Sequence, residues 1–355
     1  MKNVLIVSDA WLPLTNGVVS TLTQTVRCLE RFGYEVRVIH PNEFMTVPCP
    51  SYPEIGIAVL PGRKVARCME AWHAHAVHIA TEGPLGWSAR RYCLSRRLRF
   101  TTSYHTQFPQ YLRSRLPIPL AVSYAAIRRF HAPAHHCMVS TASVHRELSA
   151  RGFGNLVHWS RGVDTQLFRP RAKDFLSLPR PIAAYAGRLA IEKNVDAFLQ
   201  MPWHGSKIVI GDGPERGRLE ARYPTTRFAG YRFGEDLAAH LAAADVLVFP
   251  SRTDTFGLVN LEAMACGVPV AAYPVTGPID VVQDGVTGAL DGDLSRAARR
   301  ALRIDPSVCR EYAMRSGWEA CTRQFESHLI ECSPALGAHR SRKIALVRRS
   351  GQAVP

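Results

Sequence analysis

Short apolar runs, each followed by a polar loop and then by a stretch of helical periodicity, recur along most of this chain, and that alternation admits few folds. Residues 244–250, Ala244-Asp245-Val246-Leu247-Val248-Phe249-Pro250, read as a short buried parallel strand. Beyond a loop, Leu258, Leu261 and Ala265 share one helical face, and Gly267 stops the helix. The amino-terminal end repeats the pattern. Residues 4–8 form a strand, residues 9–17 a loop, and Val18, Leu22, Val26 and Leu29 a helical face that Gly33 ends. A second strand follows at 35–40, stopped by Pro41. Further strands are expected at 77–80, 100–102 and 137–141, and then at 182–186, 208–211, 227–229, 246–249 and 268–272. Residues 169–181, rich in proline and charge, separate the two series and read as a linker. The expectation is an α/β protein with two doubly wound parallel sheets, and 355 residues are about right for two such domains. No internal repeat of 20–50 residues is apparent.

A net charge of +15 implies an anionic partner: nucleotide phosphates, a lipid surface or nucleic acid. No recognised nucleic-acid-binding motif accompanies that charge, so nucleic acid is set aside. The nine cysteines show no C-x2-C pair, which suits a reduced, cytoplasmic protein better than a disulfide framework or a zinc site. The first apolar run is too short for a signal peptide, and no segment approaches the ~20 apolar residues of a spanning helix. Residues 333–355 carry Arg340, Arg342, Lys343, Arg348 and Arg349 with little apolar pattern, and are expected to be a basic, disordered tail.

Open α/β sheets bind ligands at the carboxyl ends of their strands. Asp254 lies at such an end, in the loop after strand 246–249, and Glu262 lies about one and a half turns into the next helix. The backbone amides near Phe256 and Gly257 would face the same crevice, where a helix N-terminus favours an anion. In Gly187-Arg188-Leu189-Ala190-Ile191-Glu192-Lys193, two cations sit five apart across another strand-to-helix turn. Gly211 and Gly213 make a tight turn after the next strand, and Pro214 suits a first helical position. Gly17 would let a phosphate approach backbone amides with no Cβ in the way.

The spacing of Asp254 and Glu262 resembles the acidic-x7-Glu motif of retaining glycosyltransferases of the GT-B fold, glycosyltransferase family 4 in particular. Gly162-Val163-Asp164 followed by Phe168 is similar to that family's end-of-first-domain signature, and Ser316-Gly317-Trp318-Glu319 followed by Phe325 resembles its final helix. The resemblance covers roughly residues 1–329. It implies two Rossmann-like domains facing across a cleft. Residues 1–168 would form the acceptor side, with a carboxyl-terminal helix returning at about 312–330. Residues 182–311 would bind the nucleotide sugar.

By the same resemblance, Asp254 contacts hydroxyls of the donor sugar and Glu262 the ribose, with Thr255, Phe256, Gly257 and Leu258 beside them. Here the first acid is Asp where the family usually has Glu, and Gly17-Val18 stands where two glycines are usual. Arg188 and Lys193, with Gly187, would stabilise the leaving diphosphate in place of a divalent ion, so neither metal nor cofactor is expected. Gly211 and Gly213 would lie beside the base. His105 would contact the sugar near the reacting centre. On the acceptor side, Asp9 and Asn16 would order the first loop and Glu82 would face the acceptor. The implied reaction moves a hexose from a UDP- or GDP-sugar with retention.

Arg90, Arg91, Arg96, Arg97, Arg99, Arg113, Arg115, Arg128 and Arg129, with His131, His135 and His136, interleave with Tyr92, Leu94, Leu98, Tyr111, Leu112, Leu116 and Leu120. An interfacial surface on anionic lipid would need that composition, and a solvated basic face would show it equally. Residues 81–111 look most like members that build glycolipids or mannosides. The expectation is therefore a lipid acceptor and a peripheral position on the inner face of the cytoplasmic membrane. Two alternatives stay open: a GT-B-fold nucleotide-sugar epimerase and a non-catalytic basic binding module.

Overall fold

The computed structural model describes residues 2–49, 52–113 and 118–332. The expected basic tail, Arg115 and Leu116 lie outside the described residues. Strands β1 (Asn3–Val7), β2 (Glu35–Ile39), β3 (Thr46–Cys49), β4 (Tyr52–Ala58), β5 (Ala76–Ile79), β6 (Thr101–Tyr104), β7 (His136–Val139) and β8 (Leu156–His158) belong to the first half of the chain. Six of them pair in the order β2-β1-β5-β6-β7-β8, all parallel. The antiparallel ribbon β3–β4 stands apart from that sheet. A second parallel sheet holds β9 (Ile182–Ala186), β10 (Ser206–Ile210), β11 (Arg227–Gly230), β12 (Val246–Phe249), β13 (Val270–Ala272) and β14 (Gly288–Leu290), in the order β11-β10-β9-β12-β13-β14. Numbered within its own domain, that is the doubly wound order 3-2-1-4-5-6.

Both faces of each sheet are buried, and alternate side chains of one strand go to opposite layers. Leu5 and Val7 pack with Val65, Leu85 and Phe130, whereas Val4 and Ile6 pack with Leu22, Leu29, Trp159 and Phe325. In the second domain Ala184, Ala186, Leu247 and Phe249 face one layer and Ala183, Tyr185, Val246 and Val248 the other. Continuous apolar strands such as Ile182–Ala186 are what a sheet covered on both faces requires.

The chain crosses between domains twice. Residues 169–181 run out of the first domain and carry a single helical turn, Lys173–Phe175. The return, expected at about 312–330, is made by helix Trp318–His328. Helix Pro306–Met314 still belongs to the second domain, where Cys309 and Ala313 are in the core. The crossing comes at Gly317, bridged to Val163, and helix Trp318–His328 then packs on helix Gly17–Arg31 with Phe325 fully buried. The Tyr34 hydroxyl donates to Glu326 at 2.6 Å and fixes the helix there.

Other boundaries differ from expectation. Strand β7 stops at Val139, because the Thr141 side chain caps helix Ala142–Ala150 at Val144 N. The helix after Gly213 starts at Arg216 and not at Pro214, since the Arg216 amide still turns back to Gly213 O.

Candidate active site

Each sheet has its switch point where strand order reverses, between β1 and β5 in the first and between β9 and β12 in the second. The loops that leave these four strands carry most of the residues singled out above. Loop 187–194 follows β9 with Arg188 and Lys193, and loop 250–257 follows β12 with Asp254. Neighbouring strands thus bring cations and acid together: Lys193 Nζ donates to Asp254 Oδ1 at 2.6 Å. Burial disfavours the Lys193 ammonium, but the adjacent Asp254 carboxylate outweighs it and holds the lysine above its usual range. Asp254 Oδ2 is buried and has no hydrogen-bond partner among the described residues.

Helix Leu258–Ala265 opens at Gly257, whose φ is +81°. A Cβ at Gly257 would come within 2.7 Å of the Asn260 side chain and 2.9 Å of the Phe249 ring, so both backbone conformation and packing call for glycine. Glu262 lies on this helix. Burial raises its carboxyl pKa to about 7, and no hydrogen bond or ion pair holds its side chain among the described residues. Gly211 serves a different need. Its amide donates to Gly230 O, and a Cβ there would lie 1.9 Å from Gly187 O. The turn after β10 is thus pressed against the loop that carries Arg188.

The first domain closes on loop 250–257 from several sides. Thr255 Oγ1 donates to the His105 carbonyl at 2.7 Å, and Ser140 Oγ and Thr141 Oγ1 donate to the Thr255 carbonyl at 3.0 and 3.2 Å. Gln107 Nε2 reaches Asp254 O at 3.5 Å, and Ser143 N donates to Asp280 Oδ1 at 3.0 Å. Gly17 opens helix Gly17–Arg31 opposite Leu258. The His105 ring is buried, with Nε2 unpartnered among the described residues. Burial holds its pKa well below the ordinary histidine value, and Arg161, His78 and His131 add to that effect.

The three residues expected on the acceptor side are held by other parts of the first domain. Asp9 accepts from Thr81 Oγ1 (2.8 Å) and from the amides of Leu85 (2.8 Å) and Gly86 (3.2 Å), at the start of helix Pro84–Arg96. Burial raises its pKa, and those hydrogen bonds work against the rise. Asn16 is the N-cap of helix Gly17–Arg31, with its Oδ1 taking the amides of Val18 and Val19 at 3.0 Å each. Both side-chain oxygen groups thus serve helix starts, Asp9 that of helix Pro84–Arg96 and Asn16 that of helix Gly17–Arg31. Glu82 pairs with the buried His131 at 3.1 Å, and His131 Nδ1 meets Thr102 Oγ1 at 2.9 Å. Burial works against the imidazolium, yet Cys137 and Glu82 bring the His131 pKa up to about 10.

Sequence reasoning passed over Arg161, Gln107 and Asp280, and it placed His131 on the basic surface, whereas the residue is fully buried against Glu82. Each meets its partner across a long sequence separation, and nothing local marks it. The basic cluster is partly structural. Arg90 donates to the carbonyls of Phe130 (2.9 Å) and Arg129 (2.8 Å), Arg96 pairs with Glu70, and Arg128 holds Arg151 O at 3.0 Å. Helices Pro84–Arg96 and Leu120–His131 still expose Trp87, Leu94 and Val122 together with Arg91 and Arg129.

Two doubly wound domains whose switch-point loops meet in this way are the GT-B architecture. The solved structure of Anabaena HepE in complex with UDP-glucose shares the fold, with a TM-score of 0.71 over 92% of this chain and 99% of that one, at 16% identity. Residues 15–167 match the family described as Glycosyltransferase Family 4, and residues 180–304 that described as Glycosyl transferases group 1. A GDP-mannose-dependent alpha-mannosyltransferase of Mycobacterium tuberculosis is 31% identical over 315 residues, covering 81% of this chain and 83% of the relative. The sulfoquinovosyl transferase SQD2 of Arabidopsis thaliana is 26% identical over 96% of this chain and 75% of its own length. The chain belongs to glycosyltransferase family 4, and it is an enzyme that transfers a glycosyl group.

Proposed function

We propose that this enzyme is a retaining, metal-independent mannosyltransferase that uses GDP-mannose and an acceptor held by the first domain, with a membrane lipid as that acceptor. The observation that carries the reading is the Lys193–Asp254 contact across the second switch point, beside a buried Asp254 Oδ2 that no described residue satisfies. A diphosphate between Arg188 and Lys193 gains most as its bridging oxygen takes up charge, so these cations favour the transition state over the ground state. They supply the role a divalent ion would otherwise fill. Asp254 would take sugar hydroxyls and Glu262 the ribose. The C1–O bond to the diphosphate breaks while the acceptor oxygen bonds to C1 on the same face. The acceptor's proton passes to the departing phosphate oxygen.

The mannose donor rests on the mycobacterial relative and others with the same printed function. Retention follows from an α-linked donor giving an α-linked product. The lipid acceptor and a peripheral position at the membrane rest on the exposed Trp87, Leu94 and Val122 beside Arg91 and Arg129. Among the described residues no helix is long and apolar enough to cross a membrane.

The test is transfer of radiolabelled mannose from GDP-mannose into a lipid extract, without metal and with chelator, against UDP-glucose as the rival donor. Label entering an organic-soluble product supports the reading. Label released only as free mannose, or UDP-glucose used in preference, overturns the donor and acceptor assignment.

A further inference from the structure

Arg161 follows β8 and is 4% exposed. Its guanidinium donates to Trp159 O at 2.6 Å and Ser160 O at 2.9 Å, and lies 4.4 Å from the centroid of the Trp159 ring. Among the described residues no carboxylate pairs with it. A buried cation without a counter-ion is costly, and burial brings the Arg161 pKa down to about 10. Its remaining bond runs to the active site: one terminal nitrogen meets His105 Nδ1 at 3.1 Å.

Arginine can only donate, so His105 Nδ1 must accept. In a neutral imidazole the proton then sits on Nε2. Nε2 is the buried ring atom that no described residue satisfies, while the same residue's carbonyl is held by Thr255 of the donor loop. The Trp159 ring packs edge-on against the His105 ring, with centroids 5.6 Å apart, and fixes its plane. The titratable groups acting on His105 are Arg161, His78 and His131, all basic, so nothing there favours an imidazolium.

We propose that Arg161 is a positioning residue that commits His105 to the neutral tautomer with its proton on Nε2, so that the ring presents a fixed N–H donor to an oxygen of the bound sugar nucleotide. The second half of this statement rests on the donor reading above, and the first does not. An imidazole of the opposite tautomer would turn a lone pair toward that oxygen and repel it. Arg161 thus acts on the reaction without touching substrate, as the outer hydrogen-bond partners of metal-ligating histidines do.

Nitrogen NMR of histidine-labelled protein tests the tautomer without any donor, with the His105 signals assigned by their loss in H105Q. The expected result is a protonated Nε2 and an unprotonated Nδ1, unchanged over about pH 6 to 8. A proton on Nδ1, or a titrating ring in that range, overturns the proposal even if transfer activity is normal. Conversely, no activity with GDP-mannose alongside the expected tautomer would remove the donor reading and leave Arg161's role intact. In R161M we expect His105 to lose its fixed tautomer and kcat to fall by about tenfold or more, with KM for the donor changing less. In an H105Q background the same substitution should cost little further. A folded R161M with the wild-type tautomer and kcat, or costs that simply add in the double variant, would overturn it. If R161M does not fold, the wild-type spectrum alone decides.

Discussion

Lys193 and Asp254, 61 residues apart, are joined at 2.6 Å by the loops of two adjacent strands, β9 and β12. The pair is partly buried, so each charge offsets the other where water cannot. A donor that places its diphosphate by Lys193 and its sugar by Asp254 must reorganise this contact. Removing the acid's charge therefore separates the two halves of donor recognition. We expect D254N to keep GDP affinity within about threefold, or to tighten it, while kcat/KM falls by about a hundredfold. Calorimetry with GDP beside turnover measurements decides. Loss of GDP binding in D254N would mean that the acid supports the phosphate site and not the sugar.

Glu262 yields a pH prediction. A carboxylate that takes ribose hydroxyls must be ionised, and burial puts its pKa near 7 in the free enzyme. The carboxyl gains its proton as pH falls through 7, so GDP should bind more weakly on the acid side. We expect about a tenfold loss between pH 8 and pH 5.5 beyond that shown by E262Q. The GDP phosphate titrates in both proteins, so the difference isolates Glu262. Parallel pH curves would place the ribose elsewhere.

His78 governs stability and not binding. It is fully buried, bonded to Thr101 Oγ1 at 2.9 Å and Ser103 Oγ at 3.1 Å, and packed edge-on against the Trp159 and Phe325 rings. Burial, with Arg161 and His131 nearby, lowers its pKa to about 3. Between that value and 6.5 the unfolded chain takes up a proton that the folded chain refuses, so stability falls as pH falls. Between pH 7 and pH 5 this amounts to about 2 kcal/mol. Melting curves of the wild type and H78N should converge over that range. A constant gap would show that His78 does not contribute to acid sensitivity.

Asp9 is a helix-start acceptor in this structure. The D9A variant removes partners from Thr81 Oγ1 and from the amides of Leu85 and Gly86. We expect a loss of about 1–3 kcal/mol, seen as a lower midpoint for the first domain's transition. GDP binding, which we assign to the second domain, should persist. An unchanged midpoint with impaired transfer would return Asp9 to the acceptor site.

The alternation of apolar runs with helical faces made both doubly wound domains legible, and strands Ile182–Ala186 and Val246–Phe249 run as their residues indicate. A strand buried on both faces writes itself locally as continuous Val, Ile, Leu and Ala. The ribbon β3–β4 escaped notice because Pro48 and Pro53 interrupt any strand pattern, and a ribbon outside the main sheets tolerates them. Strand β14 is only three residues long, too short for a period. Site residues in strand-to-helix loops, such as Arg188 and Asp254, could be placed at the carboxyl edge from order along the chain alone. What each side chain meets there could not. Asp9 and Asn16 turned inward to satisfy helix starts, Glu82 found His131, and Arg161 found His105 across 56 residues. Periodicity is a property of neighbours in sequence, whereas these pairings arise only when separate loops converge as the sheets twist and the two domains close.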